Sequence, residues 1–157
     1  MFRSSRGKLL GLRSLKALRG RWKSSGKRVV FTNGVFDILH PGHVSLLERA
    51  RALGDVLIVG LNTDASVRML GKGPERPVNA FRERAAVLCG LASVDAVVGF
   101  SHRTPAALLK AVRPDILVKG ADYKPGEVAG AEYAGRVRLL SLLRGHSTTA
   151  ILRRLGV

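Results

Sequence analysis

The stretch from Val29 to Arg49, VVFTNGVFDILHPGHVSLLER, changes its hydrophobic period half-way along, and that change decides the fold. Val29, Val30 and Phe31 are an apolar run of strand formers; Thr32-Asn33-Gly34 and a short hydrophobic link then carry the chain to His40-Pro41-Gly42-His43. Beyond it Val44, Leu46, Leu47 and Ala50 recur at helical spacing, so the stretch reads as strand, turn and helix start. Proline in a first helical turn, with glycine beside it, lets the backbone open toward a ligand. The turn itself presents unpaired N–H groups and the positive end of the helix dipole. Such a place suits an anion. Two histidines three residues apart can both donate hydrogen bonds to a phosphate there, although the same spacing also fits a pair at the surface or core edge.

Outward from this unit the pattern repeats. Upstream lie a basic helix at about 9 to 23 and a Ser24-Ser25-Gly26 break. Downstream, Val56 to Leu61 is a continuous apolar run of the kind buried on both faces of a parallel sheet. Asn62-Thr63-Asp64 closes it, Thr63 or Asp64 capping a short helix through Met69. A turn-rich loop, Gly71-Lys72-Gly73-Pro74-Glu75-Arg76-Pro77, leads to Asn79 as the cap of a helix at about 80 to 91, then to a strand from Val94 to Phe100. Thr104-Pro105 starts the next helix, ending near Val112, and the strand Asp115 to Val118 exits into Lys119-Gly120-Ala121-Asp122-Tyr123. A last strand at about 136 to 143 precedes Arg144-Gly145-His146-Ser147-Thr148-Thr149 and a terminal helix to about Leu155.

This alternation predicts an α/β protein, a Rossmann-like open parallel five-stranded sheet with helices on both faces and right-handed crossovers. Ligands of such sheets bind outside the carboxyl ends of the strands, where the strand order reverses. The polar clusters Thr32 to His43, Asn62 to Asp64, Lys119 to Asp122 and Gly145 to Thr149 all fall at such ends, so they predict one shared site.

The 157 residues and 46% apolar content suit one core, with residues 1–25 as a basic N-terminal helical extension and 26–157 as the catalytic domain. Lys and Arg number 27 against 11 Asp and Glu, a net charge of +16 that calls for an anionic partner. Arg3, Arg6, Lys8, Arg13, Lys16, Arg19, Arg21, Lys23, Lys27 and Arg28 crowd an acid-free beginning of the chain. That composition resembles an organelle transit peptide, but Leu9, Leu10, Leu12, Leu15 and Leu18 form a stripe suited to docking on the domain. Only 5% of residues are aromatic, which argues against a stacking platform for nucleic acid. A single cysteine, Cys89, sits in an apolar helical pattern and reads as core filler in a reducing compartment. No apolar run is long enough to span a bilayer or form a signal-peptide core, so no membrane association and a cytoplasmic location are expected.

Gly145-His146-Ser147-Thr148-Thr149 repeats the logic of the opening stretch: hydroxyl residues at a helix start offer donors to phosphate oxygens, as well as making an ordinary N-cap. Lys119 at a strand end can reach an anion, and Lys72 and Arg76 lie on a loop long enough to close over one. Neither a P-loop nor a GxGxxG fingerprint follows the first strand, which disfavours P-loop kinases and NAD-dependent dehydrogenases. No third ligand accompanies His40 and His43, so no metal site is expected on them. Many donors without a nucleophile suit nucleotidyl transfer, because an attacking phosphate is already an oxyanion and needs positioning and charge neutralisation rather than a base. Mg2+ would be held mainly by the polyphosphate and water.

With its HxGH and STT motifs the chain resembles the HxGH nucleotidyltransferase superfamily, and within it the D-glycero-β-D-manno-heptose 1-phosphate adenylyltransferases, which occur alone or as half of a bifunctional kinase–adenylyltransferase. FTNGVFDILHPGHVSLLERARALGDVLIVGLNTDASVR, GPERPVN, RPDILVKGADY and GHSTTAI carry the resemblance; LNTDASV and RPDILVKGADY narrow it to the heptose enzymes. It implies ATP and a sugar phosphate as substrates. By motif position His40 and His43 bind the phosphates and stabilise the transition state, with Lys119 as a further contact. Phe31, Thr32, Asn33, Gly34, Phe36 and Gly42 form the nucleotide-facing turn, and Ser147, Thr148 and Thr149 hold the β- and γ-phosphates. Asp37, Asn62, Asp64 and Asp122 are implied for the sugar hydroxyls, Asp64 also fitting a helix cap alone, and Lys72 and Arg76 on their loop complete the expected substrate-binding set. Relatives are often homodimers. Val35 replaces the family's usual cysteine, and Ala92-Ser93-Val94-Asp95 stands where glycerol-3-phosphate cytidylyltransferases carry Arg-Tyr-Val-Asp. The second change weakens a cytidylyltransferase reading, which stays as an alternative beside other small-substrate nucleotidyltransferases. A non-catalytic, basic RNA-binding module is a further alternative, disfavoured by two intact phosphate motifs. With no kinase half in the chain, the phosphorylated sugar is expected from a separate protein.

Overall fold

The computed structural model describes residues 7–124, 126–143 and 145–156; Arg3, Arg6 and Arg144 lie outside them. Five strands, β1 (Val29–Gly34), β2 (Val56–Asn62), β3 (Ala96–Phe100), β4 (Ile116–Gly120) and β5 (Arg136–Leu140), form one sheet in the order β3-β2-β1-β4-β5. Every pairing is parallel. The described helices are α1 (Leu12–Ser24), α2 (Pro41–Arg51), α3 (Asp64–Met69), α4 (Phe81–Gly90), α5 (Ala106–Val112) and α6 (Thr148–Leu155), with a 3-10 turn at Ala131–Tyr133.

Strand side chains alternate between faces, and each face has its own core. Val29, Phe31, Val56, Ile58, Ala96, Val98 and Leu117 meet Leu15, Leu18 and Trp22 of α1 and Leu108, Leu109 and Val112 of α5. Val30, Leu57, Val59, Leu61, Val97, Ile116 and Val118 meet Leu47 and Ala50 of α2 and Ala85, Leu88 and Cys89 of α4. The sheet is therefore covered on both faces, as the unbroken apolar run of β2 demands: all seven of its residues are buried.

Local differences from the sequence expectation have identifiable causes. Helix α1 starts at Leu12 because the residues before it run beside β3: Leu9 bridges Val97 in parallel, the Val97 N–H donates to Lys8 O at 2.8 Å and the Leu10 N–H to Val97 O at 2.9 Å. Leu9 and Leu12 consequently stay exposed, and Trp22 joins Leu15 and Leu18 as the buried stripe. Helix α4 is capped at Ala80, whose N–H donates to Glu83 Oε2 at 2.8 Å, because the Asn79 side chain is occupied in donating to Asp37 O at 2.7 Å. β5 ends at Leu140, short of the expected 143.

The amino ends of the strands are tied by aspartates. Asp55, Asp95 and Asp115 each sit immediately ahead of a strand and accept a neighbouring backbone N–H: Arg28 at 2.8 Å, Leu57 at 2.9 Å and Val29 at 2.7 Å. Arg19 of α1 reaches across to donate to Val112 O and Arg113 O, the exposed carbonyls ending α5. The basic α1 is thus bolted to the sheet by packing and by hydrogen bonds. Replacing the fully buried Leu15 with alanine should cost about 2–5 kcal/mol, read as a lowered urea midpoint at unchanged m-value.

Candidate active site

β1 lies between β2 and β4, and the chain leaving β1 turns one way while the chain leaving β4 turns the other. A crevice therefore opens at the carboxyl ends of these two strands. Two helix N-termini enter it. Helix α2 has His40 as N-cap and Pro41 as first residue; α6 has Ser147 as N-cap, its Oγ accepting from the Ala150 N–H at 3.0 Å. Between them is a cleft of about 480 Å³ lined by Val35, Phe36, Asp37, His40, Gly42, His43, Leu46, Lys72, Arg76, Leu142, His146, Ser147, Thr148 and Thr149. The HPGH and STT stretches, some hundred residues apart in the chain, share this one cavity.

His40 and His43 stack with ring centroids 3.8 Å apart and planes 22° apart, and Phe36 lies 5.2 Å from His43. Phe36 holds φ at 47°, a strained conformation for an aromatic residue, and its ring lies so close to Gly34 that a Cβ there would stand 3.1 Å from Cε2. Gly42 is required for a similar reason: a Cβ would meet His40 Cε1 and Nδ1 at 3.0 Å and His146 Cβ at 3.3 Å. Burial, the His40 imidazole and Lys72 lower the pKa of His43 to about 4, the backbone of Ile38 opposing in part. Burial and His146 lower that of His40. Both rings are therefore neutral near pH 7. Nδ1 of each is buried without a partner in good hydrogen-bond geometry among the described residues.

The carboxylate at this edge is already engaged. Asp37 accepts from Arg76 Nε at 2.6 Å, Val78 N at 2.9 Å and Asn79 N at 2.9 Å, and the Asp37–Arg76 pair is buried. This pins the loop that carries Lys72 over the cleft. Among the described residues of the lining Asp37 is the one carboxylate and both its oxygens are taken, so these residues present donors and cations but no open carboxylate. Among the described residues no group of three or more His, Cys, Asp or Glu is arranged to hold a metal ion.

Other expected residues stand outside the lining. Thr32 Oγ1 donates to Val118 O at 3.0 Å, and Phe31 is wholly in the core. Asn62 donates to Ser66 Oγ at 2.8 Å, while Asp64 accepts from Arg84 at 2.7 Å. Lys119 forms a neighbouring cluster: its Nζ donates to Asn33 Oδ1 and lies 5.0 Å from the Tyr123 ring centroid. Burial lowers its pKa to about 8 against the pull of nearby Asp122, leaving it mainly cationic at neutral pH.

Two residues went unnoticed in the sequence. His146 lines the cleft across from His40, and only its place inside the GHSTT stretch could have drawn attention to it. Arg84 is 1% exposed and donates to Asn79 O, Val35 O and Asn62 O as well as to Asp64. In the pattern FRERAAVLCG it looks like any solvated arginine on a helix.

The cytidylyltransferase-like family profile matches residues 31–152, which include both helix starts of the cleft. The chain belongs to the cytidylyltransferase-like family. It is thus a nucleotidyltransferase by family. Bifunctional protein HldE of Acidiphilium cryptum is 60% identical over 139 residues, covering 86% of this chain and 28% of that protein. HldE of Wolinella succinogenes is 49% identical over 151 residues, covering 96% of this chain and 32% of that protein. The chain therefore spans about a third of the length of these relatives. A lipopolysaccharide core biosynthesis protein from Thermoplasma volcanium GSS1 superposes with a TM-score of 0.65 at 28% identity, over 75% of this chain and 99% of that one. The pantoate-beta-alanine ligase of Francisella tularensis shares the fold at 14% identity, with a TM-score of 0.58 over 92% of this chain and 75% of that one.

The partly buried neutral histidines make stability depend on pH. Because the folded pKa of His43 lies near 4 and the unfolded value near 6.5, the unfolded chain binds more protons between these limits. Stability contributed above pH 6.5 should be lost progressively as the pH falls toward 4. Thermal melts from pH 7 to 4.5 should show a shallower decline for His43→Gln than for the parent chain.

Proposed function

We propose that this nucleotidyltransferase transfers AMP from ATP to D-glycero-β-D-manno-heptose 1-phosphate, releasing pyrophosphate and ADP-heptose in the cytoplasm. The observation that carries the reading is the convergence of two helix N-termini and a stacked neutral histidine pair on one cleft whose described lining offers no open carboxylate. That surface accepts a polyanion and repels nothing about it. The sugar rests on the LNTDASV and RPDILVKGADY stretches and on the 49% and 60% identity to the bifunctional HldE proteins.

In this mechanism an oxygen of the sugar phosphate attacks the α-phosphorus of ATP in line, and the bond to the bridging oxygen of pyrophosphate breaks. The nucleophile arrives ionised, so no residue need take its proton. His40 and His43 donate to the phosphate oxygens on which charge develops. Ser147, Thr148, Thr149 and the first N–H groups of α6 receive the β- and γ-phosphates, with Lys72 above them. Lys119, held by Asn33 at the adjoining strand end, is assigned to the incoming phosphate. Mg2+ carried on the nucleotide would supply further charge neutralisation; with Asp37 committed to Arg76 and two backbone amides, the described lining would add no carboxylate to it. Asn62 and Asp64 shape the end of β2 and are placed to act through the backbone they hold rather than by binding sugar hydroxyls. The working unit in this proposal is a homodimer.

Pyrophosphate release from ATP or CTP with magnesium, measured against a panel of sugar and polyol phosphates, tests the reaction. Release is expected with ATP and heptose 1-phosphate. Release only with CTP and glycerol 3-phosphate would overturn the assignment. His43→Ala should lower turnover by about a hundredfold or more at near-wild-type melting temperature, as for loss of a transition-state donor; unaltered turnover removes this histidine from the mechanism.

A further inference from the structure

The cleft holds a third imidazole. His146 immediately precedes the N-cap of α6, and its ring lies 6.3 Å, centroid to centroid, from that of His40, with the planes only 24° apart. The His40 ring in turn stacks on His43, so three nearly parallel rings run from one helix start to the other. Gly42 lies against both His40 and His146, and the space a Cβ would need there is taken by these two side chains. The separation has a chemical meaning. At 6.3 Å the His40 and His146 rings are not in face contact as His40 and His43 are, and both line the same cleft. Imidazole N–H groups donate in the plane of the ring, so two neighbouring rings on one cleft wall can direct their N–H edges to separate oxygens of one phosphate, each bond about 2.7–2.9 Å.

We propose that His146 is a phosphate ligand of this nucleotidyltransferase, bridging with His40 one phosphate of the nucleotide's departing pyrophosphate. His43, which stacks on His40, is then left for the phosphorus under attack. The stack thereby divides its work: one end holds the leaving group, the other meets the reacting centre. Ser147 to Thr149 bind the same phosphates from the backbone side, and His146, just ahead of the α6 N-cap, adds a side chain whose ring centroid lies 6.3 Å from that of His40. The assignment rests on the nucleotidyl-transfer reading for its ligand but is testable without turnover.

The test is equilibrium binding of inorganic pyrophosphate, and separately of a non-hydrolysable α,β-methylene analogue of ATP, to the full chain by titration calorimetry with magnesium. His146→Ala should weaken both by about tenfold or more, the loss expected for one hydrogen bond to a charged group. His146→Arg, which keeps a donor, should recover most of that affinity. His102→Ala, an exposed histidine outside the cleft, should bind as the parent does. In steady state His146→Ala should raise the KM for ATP more than it lowers kcat, and should relieve product inhibition by pyrophosphate. Pyrophosphate binding by His146→Ala equal to the parent's, at equal melting temperature, overturns the assignment, as does failure of the parent to bind pyrophosphate at all. A parent that binds pyrophosphate through His146 yet transfers nothing from ATP would instead overturn the reaction and leave this site standing.

Discussion

One buried guanidinium holds the site in register. Arg84 has almost no contact with water, and an uncompensated charge at that depth would be severely destabilising, so each of its bonds is obligatory. They run to the carbonyls of Val35, Asn62 and Asn79 and to the Asp64 carboxylate. Those four points are the turn after β1, the end of β2, the approach to α4 and the first residue of α3. The turn after β1 cannot shift without orphaning a donor, and Phe36, whose ring borders His43, is the next residue along that turn. A long-range polar hub thus sets the position of a stack of rings that it never touches.

The acidic residues are sorted by edge. At the amino ends of the strands, Asp55, Asp95 and Asp115 serve backbone N–H groups, a task that suits carboxylates and keeps them far from the cleft. At the carboxyl ends, Asp37 and Asp64 are each bound by an arginine. The potential left at the cleft is made by helix N-termini, Lys72 and neutral imidazoles. Neutrality matters as much as charge: an imidazole held unprotonated by burial and by its neighbours donates one directed hydrogen bond and responds to an arriving phosphate, whereas a permanent cation would bind substrate and product alike.

The fold was legible because the hydrophobic period switches so cleanly around HPGH and because β2 admits only a doubly covered strand. The convergence of HPGH with STT could be read as well, since both lie after strands whose carboxyl ends must share an edge. What escaped were features set by tertiary contacts. Arg84 carries no local mark of burial. Asn62 and Asp64 looked available because their partners, Ser66 and Arg84, become partners only once α3 and α4 pack. The start of α1 was misplaced because Lys8 to Leu10 take an extended path that only the edge of β3, about ninety residues later, stabilises. Helix propensity could not foresee that competitor.

That short extended segment has a consequence for how the molecule behaves among its own kind. A parallel sheet with open sides is a template for further strands. One side is closed here by the chain's own beginning, which occupies the hydrogen-bonding groups of Val97. The other side is β5, where Arg136 and Arg138 project into water while Val137, Leu139 and Leu140 turn partly inward. A second copy approaching strand to strand would meet the same arginines repeated. One border is met by Lys8 to Leu10 at Val97 and the other carries like charge, so neither edge invites a further strand while the ligand-binding rim remains open.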